Sequence, residues 1–511
     1  MVIKRCLGKA VTLAAMALAL TVPARGDGFR AGVREVLGPR FEAAREEVLP
    51  RIRARRGGAS AIARLRYWNA IAIDTSGLDH TPLAAGETRI FGEQVGPGRS
   101  SRAMAIVHIA MFESVNAVVG GYQSFVGLPF EGARSSMDSA IAQAAHDTLA
   151  VLFPSQAAAF DALLAEDLGR IREGRAKTAG IDLGRRAACA ILSLRNNDGS
   201  QHSEARLGTG FAVSGSPGKW RQDPISLIPL ALGSHWGEVT PFVLESPGQF
   251  RAPPPPAMES AEYAAAYDEV KRLGGDGVTT ATERTADQTM AGIYWAYDGT
   301  PTLCAPPRLY NQIALVIAEQ KGSRIDELAR LLALVNVAMA DAGTAIWESK
   351  YHYQFWRPVT GIRESDLGTG PTGLGDGNPA TRGDPTFMPL GAPASNLRGP
   401  NFTPPFPAYP SGHAGFGGAL FQVLRRFYGT DDISFTFISD ELNGETLDRE
   451  GIARPMMPRT FSTLSQAEEE NGQSRIYLGI HWSFDKTEGI AQGRRVADWV
   501  FDHAFQPRGR R

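Results

Sequence analysis

Cysteine is nearly missing from these 511 residues, with three in all and no Cys-x-x-Cys pair, so a thiolate zinc site is excluded. Cys6 falls in the N-terminal segment described below. The remaining Cys189 and Cys304 either form one bridge in an oxidising compartment or stay as buried thiols. An excess of either charge is also lacking. Lys plus Arg is 53 against 54 for Asp plus Glu, which removes any whole-protein field favouring nucleic acid or an anionic membrane. Charge is therefore informative only where it is local. Past the first residues, no segment is expected to combine the length and apolarity of a spanning helix, so no integral membrane association is expected. What is present is apolar material: at 43% hydrophobic, a chain this long can bury a large core.

The first residues, MVIKRCLGKAVTLAAMALALTVPARGDG, have a basic start at Lys4, Arg5 and Lys9 and an apolar stretch from about Ala10 to Val22. They end in small residues, Ala24 and Gly26, spaced as a signal peptidase prefers. Residues 1–26 read as an export signal, and the mature protein is expected to be periplasmic or secreted.

The rest is helical in character. RAMAIVHIAMFESVNAVVG, SAIAQAAHDTLAVLF and IDLGRRAACAILSLRN carry apolar residues at spacings of three and four, and strand-like segments are scarce. The longest such pattern, Arg324 to Lys350, has an apolar face broad enough to be buried on several sides. Helices packed on helices, an all-α architecture, is the expected result. Two stretches interrupt it. Thr209 to Ala257 is rich in Gly, Pro and Trp and ends near the run Pro253–Pro256, which suggests a boundary between residues 27–257 and 258–511. Leu367 to Pro410 lacks periodicity, and a connection that long is unusual in a compact domain unless it serves a site.

That second stretch leads into AYPSGHAGFGG. Pro410 fixes the approach, Ser411 is a natural N-cap, and a helix is expected from about Gly412. Small residues at Gly412, Ala414, Gly415, Gly417, Gly418 and Ala419 either leave the first turns open to an anion or let two helices touch. His413 stands among them. Sixty residues earlier, KYHYQFWRP places Lys350 and Arg357 seven apart, which on a continuous helix returns both cations to nearly one face. A third element, SRIYLGIHWSFDK, has His481 and Asp485 at i and i+4, spaced so that the carboxylate supports one ring nitrogen while the other meets a ligand. Arg475 is six before His481, so either Gly479 marks a bend or helix start or Arg475 reaches around with its length. Three fixed cations, the Ser411 hydroxyl, the Gly412 amide and two histidines suit an oxyanion; a divalent cation would need clustered carboxylates or histidines.

These three segments together resemble the superfamily of vanadium-dependent haloperoxidases and type 2 phosphatidic acid phosphatases. Lys350 with Arg357-Pro358, then Pro410-Ser411-Gly412-His413, then Ser474-Arg475 with His481 and Asp485 match its three-part signature in order and spacing. The resemblance implies two packed four-helix bundles with the oxyanion in the second, and a vanadate cofactor whose place phosphate can take. By similarity, His481 is the axial metal ligand, supported by Asp485. Lys350, Arg357, Ser411, Gly412 and Arg475 hold the equatorial oxygens, and His413 acts as acid and base. Hydrogen peroxide, a halide and a small organic acceptor are the implied partners, with bromide and then chloride oxidised to hypohalous acid or an equivalent.

In the phosphatase branch His481 would instead attack phosphorus, giving a soluble acid phosphatase working through a phosphohistidine. A non-enzymatic oxyanion-binding protein is the third reading, although simple capture does not require two histidines and His481–Asp485. Phe406 and Trp347 resemble the halide pocket of the chloroperoxidases, and WNAIAIDTSGLDH, IYWAYDGTP and PPRLYNQ are similar to the soluble haloperoxidase branch. Asp298 is a candidate partner of Arg475. His108 and His146 are expected to be structural, His352 either to line the entrance or to pack among aromatics, and His235 and Trp236 to anchor their stretch. Oligomeric state is left open.

Overall fold

Thirteen α-helices carry the described residues of the computed structural model, which are 36–43, 60–84 and 86–508. The export signal at 1–26, with Cys6, lies outside them. In the first half, α1 (Ala61–Asp79), α2 (Gly96–Val119), α3 (Met137–Leu152), α4 (Ala157–Gly169) and α5 (Arg175–Leu194) gather around α3, which touches all four others. Alanine makes α3 thin, and glycine in α5 lets it come closer still. A Cβ on Gly180 would lie 2.2 Å from the Ser136 carbonyl oxygen, and one on Gly184 2.5 Å from that of Ala140.

The second half runs through α6 (Ala261–Leu273), α7 (Ala286–Tyr294), α8 (Pro307–Gln320), α9 (Ile325–Tyr353), α10 (Pro358–Arg363), α11 (Gly412–Tyr428), α12 (Leu464–Tyr477) and α13 (Ser483–His503). Here α11 packs on α9, α12 and α13, while α9 also packs along α2 of the first group. At 29 residues α9 is about 44 Å long, enough to serve both groups. One hydrophobic cluster accordingly contains residues from α1 to α13, so the main core runs across the Pro253–Pro256 region.

Two helices overturn the expectation that nothing later in the chain has spanning length and apolarity. Both α2 and α9 do, and the bent pair Met137–Leu152 with Pro154–Gly169 makes a third candidate if counted as one span. The reason is packing. In the apolar windows of α2 and α9, 89% and 100% of residues are buried by the rest of the chain, and a helix enclosed on all sides needs no polar face.

The Gly- and Pro-rich stretch before α6 is pinned to this central helix. Asp341 of α9 accepts from the backbone amides of Phe242 (2.6 Å), Val243 (2.8 Å) and Leu244 (3.0 Å). Burial pushes its carboxyl up to about 6. Little β structure is present. Short pairs join β1 (Glu42–Ala43) to β4 (Leu397–Arg398) and β2 (Ala205–Arg206) to β3 (Leu230–Ala231). A longer hairpin, β5 (Phe435–Asn443) with β6 (Met456–Phe461), was not expected from helical periodicity. Its alternation is nonetheless clear: Phe435 and Phe437 are buried while Thr436 and Ile438 face out. Cys304 is a buried free thiol 2.9 Å from Ser76 Oγ, so it is not bridged to Cys189.

The tightest helix contact is between α11 and α13. A Cβ on Gly493 would lie 2.0 Å from the Gly415 carbonyl oxygen, and one on Gly418 2.6 Å from that of Ile490. Backbone cannot yield as a side-chain tip can. Gly493→Ala should therefore lower the unfolding free energy by about 1–3 kcal/mol or more in denaturant titrations. Gly169→Ala, where an added Cβ meets nothing within 4 Å, should be neutral or stabilising.

Candidate functional site

Three segments converge at the N-terminus of α11. Ser411 caps that helix, its hydroxyl accepting from the Ala414 amide at 3.4 Å, and its own amide donates to the Asp485 carbonyl at 2.9 Å. The α11 and α13 starts are thereby tied together. The small residues have two separate jobs. Gly412 lies under the Trp347 indole, where a Cβ would come within 3.2 Å of the ring, and it borders the cleft. Gly415, Gly417 and Gly418 are instead filled by Ile346, Asn471 and Ile490, so they are packing contacts and not an open helix start.

Lys350 and Arg357 meet, although not along one helix. Lys350 lies in the last turn of α9, Gln354 reverses the chain in the left-handed region at φ 53°, and Arg357 precedes α10 in extended backbone. The two cations end 5.1 and 5.0 Å from the centre of the Phe406 ring. Backbone carbonyls hold them. Lys350 Nζ donates to Pro407 and Ala408, both at 2.8 Å. Arg357 donates to Phe406 from Nε at 2.9 Å and to Ile480 from Nη1 at 2.9 Å. The irregular stretch ahead of PSGH thus serves as a carbonyl lining for buried cations. That role was missed in the sequence, where the Pro- and aromatic-rich TPPFPAYP was its only trace.

Burial, and then the neighbouring Arg357, drives the Lys350 ammonium well below its ordinary range. Burial likewise lowers Arg357 to about 9, with Asp485 opposing and Arg475 adding to the fall. Arg475, fully buried, gives Nη2 to both oxygens of Asp298 at 2.7 and 2.8 Å, as the sequence suggested. Its Nε and Nη1 are buried without any hydrogen-bond partner. Such orphaned donors cost free energy, about 1–3 kcal/mol or more when charged, unless a ligand accepts them.

The tautomers of both histidines follow from their neighbours. Arg357 Nη1 donates to His481 Nε2 at 2.9 Å, so that nitrogen carries a lone pair, and Nδ1 must donate to Asp485 Oδ2 at 2.8 Å. The i, i+4 pair is not inside a helix. His481 precedes α13, and Asp485 in its first turn also accepts from the Trp482 amide at 3.0 Å. Gly479, at φ 71°, lies in the turn that breaks α12 from α13, where a bend was expected. His413 Nε2 faces the Ala296 carbonyl and therefore carries the proton, leaving Nδ1 as the basic nitrogen. Tyr310 and Asn471 donate to the His413 carbonyl at 2.9 and 3.0 Å. Burial, then surrounding cations, holds both histidines well below the usual range. Burial pushes Asp485 up to about 7.

Trp347, Phe406, Gly412, His413, Arg475 and His481 line one cleft of about 720 Å³, open solvent included. Lys350, Arg357, Ser411 and Asp485 stand directly behind them through the contacts above. Of the other histidines, His80 also lines this cleft, while those singled out in the sequence keep apart. His108 is satisfied by Met104 and Asn69, and His146 by Asp147 and Asp161. His352 is exposed against Tyr353, and His235 pairs with Glu238 at 3.6 Å, beside the buried Trp236. Among the described residues no group of three His, Cys, Asp or Glu is placed to hold a metal cation. The donor set fits a multiply charged oxyanion: buried positive charge, unpaired guanidinium N–H groups, and a neutral imidazole nitrogen able to bind an electrophilic centre.

Comparison with known proteins agrees with this geometry. A family model for the VCPO second helical-bundle domain matches residues 330–509. The vanadium chloroperoxidase of Curvularia inaequalis is 31% identical over 503 residues, covering 82% of this chain and 78% of that protein. Among solved structures, the first bacterial vanadium-dependent iodoperoxidase shares the fold with a TM-score of 0.66. It is 23% identical, over 86% of this chain and 97% of that one. A holo-type bacterial vanadium-dependent chloroperoxidase superposes with a TM-score of 0.57 at 17% identity, over 80% and 92%. The chain belongs to the vanadium haloperoxidase family.

Removing either guanidinium should weaken vanadate binding by about 2–5 kcal/mol, read by calorimetry on Arg357→Ala and Arg475→Ala. Unchanged affinity in either would contradict the geometry. Binding should also draw in protons, because an anion beside Lys350 restores the charge that burial suppresses. Titrations in two buffers of different ionisation enthalpy should give greater proton uptake for wild type than for Lys350→Met. Its affinity should accordingly fall more steeply with rising pH than the variant's.

Proposed function

We propose that this protein is an exported vanadate-dependent haloperoxidase. It uses hydrogen peroxide to oxidise bromide, and with more difficulty chloride, to hypohalous acid or an equivalent species that halogenates a small organic acceptor. The observation carrying this reading is the pair of unpaired Arg475 donors in the same cleft as the unprotonated Nε2 of His481. Those groups suit vanadate, with His481 as its protein ligand and Lys350, Arg357, Arg475, the Ser411 hydroxyl and the Gly412 amide on its oxygens. When bound, vanadate supplies a Lewis-acid centre that activates peroxide without changing oxidation state.

The protein's own contributions follow. Asp485 holds the His481 tautomer through Nδ1. His413 takes a peroxide proton at Nδ1, its low affinity for protons keeping that nitrogen free beforehand. The Lys350 ammonium, once its charge is restored by the anion, draws electron density from the oxygen that the halide attacks. Trp347 and Phe406, with ring centres 4.9 Å apart, strip water from the halide. A site active enough for chloride also turns over bromide, the easier halide to oxidise, so bromide is the better first substrate. Export rests on residues 1–26, and the burial of α2 and α9 supports a mature protein in which neither of these helices spans a membrane.

Phosphate has the shape and charge of vanadate and should compete for the same groups, which keeps a phosphohistidine phosphatase as the rival to be tested. The test strips the protein of metals, adds vanadate, and follows bromination of a phenol with peroxide, alongside phosphate-ester hydrolysis without vanadate. Bromination should appear with vanadate, fall as phosphate is added, and vanish in His481→Ala. Phosphate release that depends on His481, with no halogenation, would overturn the proposal.

A further inference from the structure

Above the oxyanion groups the cleft has an apolar mouth, and part of it comes from an unexpected place. Val36 and Leu37, upstream of α1, line it together with Ile228, Leu230, Phe402 and Pro405. This upstream segment is firmly clamped. Glu42 and Ala43 pair as β1 with Arg398 and Leu397 of β4, Arg40 Nη1 donates to the Ile225 carbonyl at 2.8 Å, and Phe41 meets Phe402 edge-on at 5.7 Å. Gly38, at φ 90°, brings the backbone so close that a Cβ would lie 3.1 Å from Ile228. The wall so made is solid, with Leu37 8%, Ile228 2% and Phe402 3% exposed. It also runs straight into Pro404–Ala408, whose carbonyls hold Lys350 and Arg357.

The mouth offers almost no polar handle. Its one histidine, His80, has both ring nitrogens committed, Nδ1 to the Ser76 carbonyl at 2.8 Å and Nε2 to the Gly96 amide at 3.0 Å. A charged or sugar-like acceptor would lose water there without gaining a partner, whereas a neutral aromatic ring would lose little and bury apolar surface. We propose that Val36 and Leu37, with Ile228, Leu230 and Phe402, form a binding subsite for a neutral aromatic acceptor, which is held beside the halogenating centre and not left to react with freely diffusing hypohalous acid. This inference rests on the haloperoxidase reading above. The transfer itself is an electrophilic substitution: the acceptor carbon bonds to Br⁺ delivered from hypobromous acid, hydroxide leaves, and the ring proton lost from the same carbon combines with it as water.

Indole serves as the neutral acceptor and salicylate as an anionic one, with the vanadate-loaded enzyme, bromide and peroxide. Wild type should brominate indole with the higher kcat/KM. Leu37→Ala should raise the KM for indole roughly tenfold while the KM for peroxide stays put, the order expected for cutting methylenes from an apolar pocket. Val36 is only partly buried, so Val36→Phe should fold regardless and should also shift the indole KM alone. Saturation-transfer NMR on vanadate-free protein should detect indole binding in wild type and its loss in Leu37→Ala. Equal rates with both acceptors in all three proteins, independent of acceptor concentration, would overturn the subsite while leaving the haloperoxidase intact. Failure of wild type to brominate either acceptor would overturn both.

Discussion

Everything at this site depends on taking three cations out of water. Lys350, Arg357 and Arg475 are at most 1% exposed, and no equal number of carboxylates meets them. Asp298 pairs with Arg475, Asp485 is occupied with His481 and the Trp482 amide, and neutral carbonyls of Pro404, Phe406, Pro407, Ala408 and Ile480 do the rest. Such a shell keeps the charges in place without neutralising them. The same desolvation suppresses the Lys350 charge and holds His413 and His481 unprotonated, so two guanidinium charges and two basic nitrogens coexist in one cleft. A multiply charged anion with exchangeable oxygens relieves both conditions together.

The scaffold explains how that charge is kept buried. Central α9 is enclosed by both helical groups and delivers Lys350 from its last turn, while the glycine contact between α11 and α13 sets Ser411 and Asp485 side by side. Side chains between α11 and α13 would push the two starts apart and move His413 away from His481. Packing and chemistry therefore share residues within a single stretch: Gly412 borders the ligand space, and Gly415 and Gly418 make the contact that holds it there.

Much of this was legible in the sequence. Periodicity identified the helices, and the three short segments identified the cations, both histidines and the oxyanion class of ligand. The Arg475–Asp298 pair was also anticipated. What the sequence concealed was backbone. A spacing of seven suggested one helix for Lys350 and Arg357, but a left-handed Gln354 intervenes, and the side chains reach one ring from different elements. His481 and Asp485 met as their spacing implied, through a helix cap instead of a helix face. The β5–β6 hairpin was overlooked because its alternation is brief, and the spanning potential of α2 and α9 because apolarity alone does not tell a protein interior from a lipid one. The upstream wall at Val36 and Leu37 was invisible for a different reason: nothing local marks a segment that acts only by packing on residues more than 180 positions away.

The central claim is that these three segments close around one oxyanion. Anomalous diffraction at the vanadium edge from crystals of vanadate-loaded protein tests it most directly. The account predicts a single vanadium peak bonded to His481 Nε2, with Arg475 Nε and Nη1 now engaged on its oxygens. A peak elsewhere, or an Arg475 whose two donors stay unpaired beside bound vanadate, would contradict it.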